Sequence, residues 1–159
     1  MKRYVLHWLP VILLPAGNVL ADLTGSRSWD VRLLLFSLLG AVAEELFFRF
    51  FLLKLLFLPR MKPVRAILLV SVLFAAMHLL NLRAGAGLAE TLVQAAFALC
   101  FSVWAGAVVW RTRSVLIPQL AHVLLNLTAA AEIPWVSLLI GLAVLLDGLI
   151  LIKDQARNG

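Results

Sequence analysis

Between Tyr4 and Ile152 the chain is written as long apolar runs divided by short polar breaks. The runs Tyr4 to Ala21, Val31 to Leu58, Ala66 to Leu80, Leu88 to Trp110, Val115 to Ala131 and Val136 to Ile152 each read as a helix. A helix rises ~1.5 Å per residue, so about 20 apolar residues cross a ~30 Å hydrocarbon core. The run from Val31 to Leu58 exceeds that need and has to tilt, kink or begin among the headgroups. Pro10, Pro15, Gly17 and Pro118 fall inside runs, where neighbouring helices can re-satisfy the backbone. The first run follows Met1-Lys2-Arg3 and imitates a secretory leader. Ala16-Gly17-Asn18 is a poor cleavage site, so the run is read as an uncleaved helix. The breaks are a polar turn from Asp22 to Asp30, a basic and proline-broken loop from Pro59 to Arg65, the Gly85-Ala86-Gly87 turn, Arg111-Thr112-Arg113, Glu132-Ile133-Pro134-Trp135, and a polar tail from Lys153. Trp8, Trp29, Trp110 and Trp135 stand at run ends, as an aromatic belt predicts. The pattern predicts an all-α protein: a polytopic membrane bundle of about six transmembrane helices in a single membrane domain over residues 1–159.

Composition agrees with that pattern and removes the soluble classes. Hydrophobic residues make up 64% of the chain and charged ones 14%, and the mean hydropathy is +1.03. A net charge of +6 would suit nucleic acid if the cations formed a surface. They stand instead in clusters between apolar runs, so no nucleic-acid partner is expected. If the N-terminus is cytoplasmic, that side collects Lys2, Arg3, Arg60, Lys62, Arg65, Arg111, Arg113, Lys153 and Arg157, against Arg27, Arg32 and Arg83 opposite. The imbalance places both termini in the cytoplasm and the chain, multi-pass, in the inner (plasma) membrane. Cys100 is the one cysteine; it can form no internal disulfide and reads as an apolar filler.

Against this apolar background a few polar residues stand out. Glu44, Glu45 and Arg49 lie near the middle of the second run, where each charge costs about 2.5–3.5 kcal/mol unless paired or hydrated. Glu45 and Arg49, four apart, share a helix face with the acid on the favourable side and read as a structural ion pair. Glu44 is turned by roughly 100° from Glu45, has no cation on its own face, and reads as a working carboxylate. Phe74 and His78 share a face in the third run, as do His122 and Asn126 in the fifth. In hydrocarbon an unpartnered imidazole or amide is costly, so these side chains should point into the bundle. A carboxylate, an imidazole, and an imidazole with an amide then come from three helices, which is what an intramembrane reaction site requires. Each histidine alone could equally bridge two helices. Asp147 lies near the cytoplasmic end of its helix and reads as structural; Glu90 and Glu132 read as interfacial.

The ordered set Glu44-Glu45-x-x-x-Arg49, Phe74-x-x-x-His78 and His122-x-x-x-Asn126 resembles the three motifs of the CPBP family, the intramembrane glutamic endopeptidases that include CAAX proteases and bacteriocin-processing (Abi) proteins. The resemblance runs from about residue 39 to 127 and leaves the first helix (4–21) and the last (136–152) outside it. It implies an endopeptidase with no covalent intermediate and no metal or other cofactor, acting on a membrane-anchored or membrane-proximal peptide. Sorting tags, peptide precursors and lipidated C-termini are candidate substrates. By that resemblance Glu44 and His78 would hold and deprotonate the attacking water. His122 and Asn126 would donate to the oxyanion of the tetrahedral intermediate, and Glu45 and Arg49, with Phe74, would brace the site. A poorly hydrated cavity strengthens a carboxylate as a base toward water, and fixed donors to an oxyanion are worth ~3–4 kcal/mol each.

Two other classes stay open at this stage. Glu44, His78 and His122 could supply three zinc ligands with water in the fourth place, although no His-Glu-x-x-His helix is present and Asn126 would go unexplained. The same groups could relay protons in a small transporter or fix a non-catalytic scaffold, although no inverted repeat is visible. Serine chemistry is disfavoured, since Ser71, Ser102 and Ser137 sit in no recognisable motif.

Overall fold

The computed structural model describes residues 31–57, 61–128 and 134–158, all of whose regular elements are helical. The expected first helix at Tyr4 to Ala21, the turn at Asp22 to Asp30 and the tryptophans at 8 and 29 lie outside the described residues. So do Glu132 and the side chains of Trp135 and Ser137.

The second apolar run is one continuous helical path of uneven pitch. Helix α1 spans Val31–Glu45, a π-helical stretch follows over Leu46–Leu52, and α2 completes the path over Leu53–Phe57. The N–H of Leu53 bonds to the carbonyl of Phe48, the i to i+5 pattern of a widened turn. Phe48 and Arg49 turn inward from the wide turn, whereas Phe47, Phe50 and Phe51 face outward.

Helix α3 covers Pro63–His78 and runs on as a 3-10 turn over Leu79–Leu82. It starts three residues before the apolar run because Pro63 stands in its first turn, where a missing N–H is no loss. The turn after it closes with the N–H of Ala86 on the carbonyl of Asn81 and passes through Gly85 at φ +93, a value that suits glycine. Helix α4 runs over Leu88–Thr112 and stops at Arg113, whose φ of 60 breaks the helix while its N–H caps Val109. Helix α5 covers Leu116–Thr128 and α6 covers Pro134–Asn158. The polar tail expected from Lys153 is thus helical to Asn158, and Arg111 of α4 donates to Gln155 of that last turn.

Helix α4 is the central post, packing most against α6 and α3, while α1 packs against α5. Small residues let the backbones approach. A Cβ on Gly148 of α6 would stand 2.8 Å from the Trp104 Cα, and one on Gly106 would stand 2.9 Å from Ile67. Beside Gly148, the Trp104 indole is buried and donates to Asp147 at 3.0 Å. Asp147 is therefore structural, as expected, through a specific interhelical bond more than through hydration. Pro63–Leu82 and Leu88–Thr112 are long and apolar enough to cross a membrane, and Leu116–Asn126 is a shorter apolar helix. Leucines such as Leu68, Leu73, Leu92, Leu142 and Leu146 face outward.

Candidate active site

The antiparallel contact of α1 with α5 assembles the polar groups. Ala41 of α1 and Ala121 of α5 are fully buried, and such small side chains let the two helices close up. At one level Asn126 donates to the backbone carbonyl of Ser37 at 3.2 Å. At the next, two turns along α1, His122 meets both glutamates. Its Nδ1 lies 3.1 Å from Oε1 of Glu45, and its Nε2 lies 3.8 Å from Oε2 of Glu44. The neighbouring carboxylates thus reach the two ring nitrogens of one imidazole.

The two acids differ sharply in surroundings. The Glu45 side chain has no exposure, whereas that of Glu44 keeps 31%. Glu45 is fixed from its other side by Arg49, whose Nε stands 3.2 Å from Oε2 with neither group exposed. The pairing expected from the four-residue spacing is present. The contact is ionic more than a well-aimed hydrogen bond, and Nη1 and Nη2 of Arg49 have no acceptor among the described residues. They lie instead over an aromatic face, with the guanidinium carbon 4.4 Å from the Phe74 ring centroid. Arginine favours this arrangement because its flat cation is weakly hydrated.

Phe74 is the hub of the site. Its ring centroid is 5.0 Å from that of His78, 5.9 Å from that of His122 and 5.1 Å from that of Phe48. It separates the two imidazoles and lies under the arginine. His78 is anchored through its own helix, with Nδ1 2.9 Å from the Phe74 carbonyl. A carbonyl only accepts, so Nδ1 carries the hydrogen and Nε2 is left with a lone pair. Both histidines are therefore pinned through Nδ1 to groups that accept.

The residues given a site role from the sequence, Glu44, Glu45, Arg49, Phe74, His78, His122 and Asn126, lie on α1, the π stretch, α3 or α5. Direct contacts join Glu44, Glu45, Arg49, Phe74, His78 and His122 into one cluster, and Asn126 stands one helical turn from His122 on the same face. Sequence reasoning missed Phe101 of α4, whose ring packs 5.3 Å from that of His122, and the carbonyl of Ser37. Neither carries a sequence signal, since one is an ordinary apolar helix residue and the other a backbone atom. Ser71 and Ser102 are buried, with hydroxyls that find no partner among the described residues. No group of three histidine, cysteine or acidic side chains among the described residues is placed to hold a metal ion.

A family model described as type II CAAX prenyl endopeptidase Rce1-like matches residues 27–128, well over half of the chain. No curated protein and no solved structure matches the chain.

Proposed function

The chain belongs to the Rce1-like family of CAAX-type endopeptidases, and from that premise we propose that it cleaves membrane-anchored or membrane-proximal peptides with a water activated by Glu44 and His78. The observation that carries this reading is the position of Glu44. It is the acid of the pair that is part-exposed, and it faces His122 of another helix at 3.8 Å. A general base has to reach its proton directly or through one water. Glu44 takes the proton as the water oxygen bonds to the substrate carbonyl carbon. The Nε2 lone pair of His78 helps to hold that water. His122 and Asn126 donate to the oxyanion; one N–H of the Asn126 amide is spent on Ser37 and the second remains for substrate. Glu45, Arg49 and Phe74 keep His122 in place. No metal ion enters the step.

The protein crosses the inner membrane six times in this reading, with both termini cytoplasmic. The two long apolar helices and the outward-facing leucines support it, as does the crowding of basic residues on one side. The substrate presents an unwound peptide bond, since a helical carbonyl is already hydrogen-bonded. A lipidated C-terminus is the class to which the family's description points. Mass spectrometry of membranes from cells carrying the wild type or Glu44→Ala tests the proposal. An uncut precursor that accumulates only with the variant is the expected result. Identical peptide termini in both membranes would refute it.

A further inference from the structure

As an oxyanion donor, His122 is short of a hydrogen. Its Nδ1 faces Glu45 at 3.1 Å, and a carboxylate already paired with Arg49 accepts and does not donate. A ring carrying one hydrogen therefore keeps it on Nδ1. Nε2, which would have to donate to an oxyanion, carries only a lone pair, and 3.8 Å away stands Oε2 of Glu44. Two acceptors facing each other repel unless a proton lies between them. We propose that Glu45 is a positioning residue that pins the hydrogen of His122 on Nδ1, making Nε2 the carrier of the proton that Glu44 takes from the attacking water.

The carrier step rests on the endopeptidase reading above; the position of the hydrogen does not. An O–H bond of the water breaks, its proton goes to Glu44, and the oxygen bonds to the carbonyl carbon as that carbonyl's π pair moves onto its oxygen. The proton then passes from Oε2 of Glu44 to Nε2 of His122, across a gap that a turn of the part-exposed Glu44 side chain or one water closes. The imidazolium so formed donates Nε2–H to the oxyanion as a charge-assisted bond, while Glu45 faces the new positive charge. When the intermediate collapses, the C–N bond breaks and the same proton goes to the leaving nitrogen. Glu44 is again a carboxylate and His122 again neutral, with nothing drawn from outside the reaction. The proton taken by the base is thus what arms the oxyanion donor.

The site's own design favours this reading over mere bracing. A brace needs contact, whereas Glu45 contributes an oriented, unexposed carboxylate, the arrangement that fixes the tautomer of an acid–base histidine. Arg49 holds that carboxylate at one angle, and Phe74 and Phe101 flank the ring so that it cannot swing.

Nitrogen-15 NMR of the micelle-embedded protein, labelled in its histidine rings, tests the inference directly. The chain has three histidines, and the signals absent from His122→Gln belong to His122. The expected wild-type spectrum has a hydrogen on Nδ1 of His122 and none on Nε2; hydrogens on both overturn the proposal. In the charge-balanced Glu45→Leu/Arg49→Met double variant the hydrogen moves to Nε2, the site free imidazole side chains favour, while His78 keeps its own on Nδ1. With a donor–quencher peptide ending in a prenylated CAAX sequence, the double variant loses about 10²–10⁴-fold in kcat while KM stays within about threefold. A wild-type His122 with bare Nδ1 overturns the proposal, and needs no variant that folds. So does a double variant whose hydrogen has moved but whose kcat is within about tenfold of wild type. A wild type that leaves the peptide uncut counts against the endopeptidase reading, while the spectrum still decides where the hydrogen sits.

Discussion

Replacing Arg49 with methionine separates what the ion pair does for folding from what it does for chemistry. Methionine keeps an unbranched apolar stem but takes away the cation, leaving the Glu45 carboxylate unexposed with only the Nδ1–H of His122 beside it. Removing one partner of a buried pair costs about 3–5 kcal/mol, because the remaining charge is stranded out of water. Loss of the stack on Phe74, where the guanidinium carbon lies 4.4 Å from the ring centroid, adds up to about 2 kcal/mol at a desolvated site. The sum rivals the whole stability of an ordinary domain, about 5–15 kcal/mol. Replacing both partners, as Glu45→Leu/Arg49→Met, strands no charge, and such exchanges are neutral or stabilising by about 1–4 kcal/mol. The double variant is therefore expected to be more stable than Arg49→Met while remaining catalytically crippled. Arg49→Lys falls between, keeping the charge but not the flat face. Thermal unfolding in detergent micelles, followed by far-ultraviolet circular dichroism, gives the order. A single variant as stable as wild type, or a double variant no better than the single, would refute the reasoning.

Two further expectations follow from the packing and from the composition of the site. Gly148→Ala forces a methyl to 2.8 Å from the Trp104 backbone and should destabilise by about 1–3 kcal/mol. Gly40→Ala, with nothing within 4 Å, should gain up to about 1 kcal/mol of helix propensity; equal effects of the two in thermal melts would contradict the α4–α6 geometry. Peptide cleavage should survive phenanthroline. Activity that is lost with the chelator and restored by added zinc would replace the glutamate mechanism with a metal one.

Local spacing made much of this legible in advance. Glu45 with Arg49 and Phe74 with His78 are neighbours on their own helices, so a four-residue step sufficed to pair them. The apolar runs located the described helices to within a few residues, and the largest shifts have visible causes. Pro63 starts α3 early because the first turn can do without its N–H, and α6 continues through Lys153 because Gln155 is held by Arg111. The π stretch was not legible, since no residue type marks a widened turn; the sequence predicts only that the run is too long to be straight. Contacts between distant positions were hidden for a different reason. Glu45 and His122 are 77 residues apart, and Trp104 and Asp147 are 43 apart. Hydrophobic periodicity says which face of a helix turns inward, not which neighbour it meets there. Hence the sequence reading set Glu44 beside His78, whereas the structure turns it toward His122 as well, and Phe101 was not singled out at all.

The benzene ring at position 74 also bears on how the family can drift. It sits under a cation and against both imidazoles, so a smaller side chain loosens all of them together and a larger one has no room to enter. Leu73, the adjacent residue, faces outward and touches no part of the reaction. One step along the same helix therefore leads from a position whose exchange disturbs none of these contacts to one that can be altered only by rebuilding several others in concert.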